Sequence, residues 1–277
     1  MSLCVQDLTI DIGGRRVVDG VSFTVPDGAR VGLIGESGSG KSLTALAILG
    51  LLPNAATVGG RILWDDRDLR DLDDRALARI RGREIGMVFQ EPQTALNPVR
   101  RVGRQMTESL RIHAGMSRAD AAARAIGLAE RMALPDPARI VRRYPHQLSG
   151  GQRQRVALAA ALACAPRLII ADEPTTALDV TVQAGILTLL RDLVEDEGRG
   201  LLFITHDLAV LSRVATRGVV LNRGRVVEDA PVQTLLTAPS SEITRGLLRD
   251  ARATSWTPRT RTPPETASET PQGEERK

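Results

Sequence analysis

The stretch "GLIGESGSGKSLTALAILGLL", Gly32–Leu52, decides the fold. An apolar run ending at Ile34 meets a loop of Gly35, Glu36, Ser37, Gly38, Ser39, Gly40, Lys41 and Ser42, and a helical pattern runs from about Lys41 to Leu52. Of 37 basic side chains, only Lys41 and Lys277 are lysine; the rest are arginine. The loop matches G-x-x-x-x-G-K-[ST] between a strand and a helix, the context this motif requires. Its glycines let successive backbone N–H groups turn inward as an anion nest, and the helix N-terminus adds its positive dipole end. Lys41 supplies a compact ammonium for β- and γ-phosphates, and Ser42 a hydroxyl for Mg²⁺. The planar fork of an arginine would not fit such a ring of amides.

Around this centre the pattern is α/β. The first 30 residues alternate, with turn signals at Gly13-Gly14 and Asp27-Gly28 between short antiparallel strands. "EIGMVFQ" (Glu84–Gln90), "RLIIAD" and "GLLFITH" read as buried strands of the parallel kind. A helix with Val182, Ile186, Leu189, Leu190 and Leu193 on one face lies between the last two. Helical signals cover Arg101–Ala114 and Ser117–Leu134, the second with Ser117 as N-cap. "GVVLNRGRVVED" reads as a hairpin turning at Asn222–Gly224. Strands alternating with helices argue for α/β, and the helical stretch at about 91–165 for an inserted subdomain. From about residue 251 the chain is rich in Thr, Pro and charge with no apolar period, the composition of a disordered tail.

The bulk composition bounds the function without naming it. The net charge is only +4, and aromatics make up 2% of the chain, so no basic–aromatic surface signals nucleic-acid binding. Cys4 and Cys164 make no metal or redox spacing and read as two reduced thiols. No signal peptide is visible, and the longest apolar stretches are too short to span a bilayer. Any membrane role must come through a partner.

Two further motifs carry chemistry. In "RLIIADEP" a buried strand delivers Asp172, which can hold Mg²⁺, and Glu173, which can polarise an attacking water. In "LSGGQRQRVALAAALACAP", Ser149 and Gln152 have the capping-box spacing, with Gly150 and Gly151 in the first turn. This is a second helix N-terminus suited to phosphate. An ordinary capped helix has no need of two glycines there, each costing about 1 kcal/mol of helix propensity.

The set resembles the ATP-binding subunit of an ATP-binding-cassette (ABC) transporter over about residues 1–250. In family order stand Walker A (Gly35–Ser42), the Q-loop Gln90, the signature Leu148–Gln152, Walker B (Leu168–Asp172), Glu173, the D-loop Ala177–Asp179 and the switch His206. "GESGSGKS", "FQEPQTALNP" and "DEPTTALDVTVQAGIL" resemble the peptide and nickel importer branch. The resemblance implies a RecA-like P-loop NTPase core, an N-terminal antiparallel β subdomain and a helical subdomain. ATP and Mg²⁺ are the implied ligands. Gly35–Ser42, Gln90 and Ser149–Gln152 would contact nucleotide; Ser42, Gln90 and Asp172 the metal; Glu173, His206 and Lys41 the chemistry.

The resemblance also implies a head-to-tail pair of cassettes, a membrane permease, an indirect solute-binding protein, and a peripheral position on the cytoplasmic face of the membrane. The implied work is ATP-driven import of a solute: peptides, with nickel or another small solute as the alternative. Two rival classes are weighed against this reading, a soluble ABC ATPase acting on nucleic acid or ribosomes being the alternative of another class. Soluble ABC ATPases acting on DNA carry a long coiled-coil insertion for which the stretch from Gln90 to Leu148 is too short, and those acting on ribosomes normally carry two cassettes. A P-loop kinase or GTPase would not need LSGGQ. Two departures from the branch are noted. Ile12 stands where the family usually places an adenine-stacking aromatic, and the C-terminal end lacks the cysteines of many peptide-importer subunits.

Overall fold

The strand that ends in the glycine loop lies in the middle of a six-stranded sheet, and this places the loop. A computed structural model describes residues 2–90, 96–175 and 179–254. The N-terminal hairpin pairs β1 (Ser2–Ile12) with β2 (Arg15–Pro26), and β1 also pairs with β4 (Ala56–Trp64), giving an antiparallel sheet of order β2-β1-β4-β5, where β5 is Arg67–Asp68. The second sheet has the order β10-β9-β3-β8-β7-β6. Its members are β3 (Arg30–Ile34), β6 (Ile85–Val88), β7 (Leu168–Asp172), β8 (Gly200–Thr205), β9 (Arg217–Asn222) and β10 (Arg225–Pro231). All neighbours are parallel except β9 and β10.

The central strands are buried on both faces, which is why they read as continuous apolar runs. Leu33, Ile170, Leu202 and Ile204 face a core shared with the antiparallel sheet. Ile34, Ile169, Ala171, Leu201 and Phe203 face a core built with helices. The helices are α1 (Lys41–Ile48), α2 (Asp74–Ile80), α3 (Val102–Met106), α4 (Glu108–His113), α5 (Arg118–Arg131), α6 (Pro137–Ile140), α7 (Gly150–Leu162), α8 (Val180–Asp196), α9 (Leu208–Leu211), α10 (Val232–Thr237) and α11 (Glu242–Thr254). The mixed α/β architecture is that of the RecA-like core with its antiparallel β subdomain, as the motifs imply.

Several local readings hold and others need correction. Ser117 caps α5, its Oγ accepting the Asp120 N–H. The single helix expected over Arg101–Ala114 is two helices broken at Thr107, whose φ of −113° leaves the helical region. The Thr107 hydroxyl donates to the Gly103 carbonyl at 3.0 Å, the backbone-directed bond that bends helices at such residues. α11 runs to Thr254, past the boundary expected at about 250, and the tail from residue 255 lies outside the described residues. No helix among the described residues is long and apolar enough to cross a membrane.

Candidate functional site

The site forms at the carboxyl ends of parallel strands, where open α/β sheets place ligands. Ile34 of β3 pairs with Thr205 of β8, and Asp172 of β7 pairs with Ile204, so the segments leaving these strands emerge side by side. The glycine loop leaves β3, Glu173 leaves β7, His206 leaves β8 and Gln90 follows β6.

The loop is anchored from below. Gly224, in the β9–β10 turn, donates its N–H to Ser39 O at 3.1 Å and accepts the Asp19 N–H at 2.8 Å, tying the loop to β2. A Cβ at Gly40 would lie 2.9 Å from Val18 Cγ2, so this close approach requires glycine. Lys41, only 5% exposed, donates to the carbonyls of Gly35 and Glu36, each at 2.8 Å. Burial pushes the Lys41 ammonium below its ordinary range, against the pull of Glu173, Asp172 and Glu36. Glu36, Ser37 and Gly38 are exposed at the crest. Ser39 is buried, and its hydroxyl has no hydrogen-bond partner.

Beside the loop, Ser42 Oγ donates to Asp172 Oδ1 at 3.1 Å. Burial pushes the Asp172 carboxyl above its ordinary range, opposed by the Ser42 bond and by Lys41. Among the described residues no three His, Cys, Asp or Glu side chains gather into a metal cage. A hydroxyl and one carboxylate are the hard oxygen donors that suit Mg²⁺, which takes its other ligands from phosphate and water. With the buried ammonium and the orphaned Ser39 hydroxyl, these residues fit a magnesium–triphosphate ligand.

Glu173 is held in an unusual backbone conformation, φ +42°, with its N–H bonded to Ile204 O at 3.0 Å. Such left-handed geometry is costly for a non-glycine residue and clusters at functional sites. The carboxylate is gripped on both oxygens: His206 Nδ1 lies 3.0 Å from Oε1, and Gln90 Nε2 donates to Oε2 at 3.2 Å. The next residue, Asp207, caps α9 by accepting the N–H groups of Ala209 and Val210. Gln90, expected next to the cation, is thus joined to Glu173 rather than to the Ser42–Asp172 pair.

The second anion-binding feature is built as its spacing requires. Ser149 Oγ accepts the Gln152 N–H at 3.3 Å, and Gln152 Oε1 accepts the Ser149 N–H at 3.1 Å. Ser149 is exposed at the tip of α7, followed by Gly150 and Gly151. The structure corrects one inference here. A Cβ at Gly151 would lie 2.6 Å from Val182 Cγ1, so packing against α8 already demands this glycine. Asp179 of the expected D-loop caps α8, accepting the Val182 N–H at 2.9 Å, while Ala177 and Leu178 lie outside the described residues. Sequence reasoning missed Asp207, whose position before a short apolar helix was a cap signal. It also missed the pairing of Tyr144 with His146 ahead of Ser149.

This geometry is that of an α/β protein with a nucleoside-triphosphate site at the carboxyl ends of the parallel strands. A family model described as "ABC transporter" matches residues 18–176, a span holding the loop, the Ser149 helix, Asp172 and Glu173. The chain belongs to the ABC transporter family, and its ligands are those of that family's ATPase domain, ATP and Mg²⁺. It is 47% identical over 252 residues to "Probable peptide ABC transporter ATP-binding protein y4tR" of Sinorhizobium fredii, covering 89% of this chain and 75% of that one. It is 47% identical over 233 residues to "Oligopeptide transport ATP-binding protein AppD" of Bacillus subtilis, covering 83% and 71%. Among solved structures it is similar to "Dimeric structure of a post-hydrolysis state of the ATP-binding cassette MJ0796 bound to ADP and Pi". The TM-score is 0.74 at 32% identity, over 83% of this chain and 98% of that one.

Proposed function

We propose that this chain hydrolyses ATP to drive peptide import through a membrane permease, from a peripheral position on the cytoplasmic face. The names of its relatives support peptide over nickel as the solute. The observation that carries the chemistry is the Glu173 carboxylate fixed between His206 and Gln90 at the ends of three adjacent strands.

In this reading the backbone N–H groups of Gly35–Ser42 and the Lys41 ammonium hold the β- and γ-phosphates. Ser42 and Asp172 would hold Mg²⁺, which when bound would offset phosphate charge. Glu173 accepts a proton from water as the water oxygen bonds to the γ-phosphorus and the bond to the β-phosphate oxygen breaks, leaving ADP and phosphate. His206 keeps the carboxylate aimed and meets the γ-phosphate. Gln90 reports the state of Glu173 to the helices that follow it.

Each site is completed by the Ser149–Gln152 helix end of a second cassette, a reading supported by the dimeric structural relative. An apolar cleft of about 270 Å³ beside β6, lined by Leu51, Met87, Phe89, Leu96, Ala157 and Ala161, offers the permease a contact next to Gln90. Leu51 and Phe89 are each 40% exposed there, apolar surface of the kind that marks interaction sites. A solute-binding protein acts through the permease, and hydrolysis does not require residues 255–277. The test is reconstitution with permease and binding protein in vesicles: peptide stimulates ATP hydrolysis, and Glu173→Gln abolishes both hydrolysis and uptake. Stimulation by nickel and not by peptide would contradict the choice of solute.

A further inference from the structure

The chain uses rings sparingly: it has one tyrosine and three histidines. His206 stands beside Glu173, and His113 ends α4. The tyrosine and the remaining histidine sit together just ahead of Ser149. The Tyr144 and His146 rings stack nearly parallel, 8° apart in plane, with centroids 5.7 Å apart. Tyr144 is half-buried and His146 is exposed. An exposed ring backed on one side by another ring offers its remaining face to a further planar group.

The stack is fixed relative to the signature helix. Gln147 accepts the Tyr144 N–H through Oε1 at 3.0 Å and donates its own N–H to Tyr144 O at 3.0 Å. Arg153 of α7 donates to Leu148 O at 2.9 Å and to Pro145 O at 3.5 Å. Two residues separate His146 from Ser149, Gln147 at the end of a 3₁₀ turn and Leu148 in extended geometry, so at most about 10 Å of chain joins them. That is within reach of the nucleoside part of a nucleotide whose terminal phosphate meets Ser149.

The nucleotide's own subunit lacks a ring where the family places one. Ile12 ends β1, partly buried against the core of the antiparallel sheet. Among the other described aromatics, Phe23, Trp64 and Phe203 are buried and Phe89 lines the cleft at β6.

We propose that the Tyr144–His146 stack is the nucleobase platform of the composite site, supplied by one copy of this chain to the ATP held by the glycine loop of the other. The proposal rests on the shared-site reading above. Stacking on a ring depends on the π-face of the base rather than its hydrogen-bonding edge, so purines bind better than pyrimidines while ATP and GTP differ little.

The test uses the full chain carrying Glu173→Gln, with light scattering to follow dimers as Mg·ATP or Mg·UTP is raised. Less ATP than UTP should be needed at the midpoint. Adding His146→Ala should raise the ATP midpoint about tenfold, the loss of one stacked base, and bring the ATP and UTP midpoints together. His146→Phe should restore the preference. A midpoint ratio that His146→Ala leaves unchanged overturns the platform while the shared site stands. Absence of any ATP-driven dimer in the Glu173→Gln chain overturns the shared-site reading and the platform with it.

Discussion

His206 Nδ1 lies 3.0 Å from Glu173 Oε1, so the residue placed to activate water is aimed by the neighbouring strand as well as by its own. Glu173→Gln preserves shape and removes the base. We expect phosphate release to fall by about 10²–10⁴-fold, the usual worth of a general base, with ATP still bound. His206→Ala should lower kcat with little change in KM, because it acts on the aim of Glu173 and on the γ-phosphate rather than on the loop. Steady-state phosphate release over an ATP titration checks both.

Lys41 is the one lysine that the glycine loop closes around, with Gly35 and Glu36 carbonyls on its ammonium. Lys41→Ala should weaken ATP binding by about ten- to a hundredfold, the worth of a charge-assisted bond, and abolish hydrolysis. Lys41→Arg should also fail, since the buried slot is sized for an ammonium. Calorimetric titration with ATP separates binding from turnover, and wild-type turnover by the arginine variant would contradict the steric argument.

The raised Asp172 pKa gives a pH dependence with a definite sign. Folding without the cation favours the protonated carboxyl, so this contribution to stability is present at low pH and is lost as pH rises from the ordinary value of 3.8 through the raised one. Mg²⁺ needs the deprotonated form, and its binding releases a proton. The Mg²⁺ dependence of ATP affinity should therefore weaken as pH falls into that window. Asp172→Asn should flatten this pH dependence, as read by Mg²⁺ titrations at several pH values.

Much of this site was legible because its signals are local. The glycine loop, the Ser149 capping box and the buried strand before Asp172 each occupy a few consecutive residues. β4 was not read, because Gly59-Gly60 interrupts it. Gly60 has φ +80° and sits opposite an irregularity in β1, where a Cβ would lie 2.3 Å from Asp7 O, a contact made by a strand some fifty residues away. The start of α11 has a local signal, Ser241 Oγ accepting the Ile243 N–H, but the carboxylate from β10 that holds the two residues before the helix is a long-range partner that no local pattern shows. The packing of Gly151 against Val182 likewise depends on α8, so the sequence offered a phosphate reason for a glycine that also has a steric one.

Glu228 is that long-range partner. Its carboxylate accepts the N–H groups of Ser240 and Ser241 at 2.8 and 3.0 Å and the Thr244 hydroxyl. Burial raises its pKa, but these bonds outweigh burial and leave it lowered from 4.5, so the stabilisation is present above that value and lost as pH falls through the lowered one. Glu228→Ala leaves two backbone donors unpaired and should cost about 2 kcal/mol. Melting temperature against pH checks it: the variant should lose the acid-dependent part of the wild-type curve.

The central claim is that two cassettes share each ATP, and Ser149 gives the cleanest probe of it. Gly151→Asp would confound the result, because its side chain would strike Val182. Ser149→Asp keeps an N-cap of equal quality and puts a carboxylate where phosphate should dock. The deciding measurement is light scattering of the Glu173→Gln chain with and without Mg·ATP, alone and combined with Ser149→Asp. The account predicts an ATP-dependent dimer for Glu173→Gln and a monomer that still binds ATP for the double variant. A double variant that dimerises with ATP as readily as the single one would contradict the shared site.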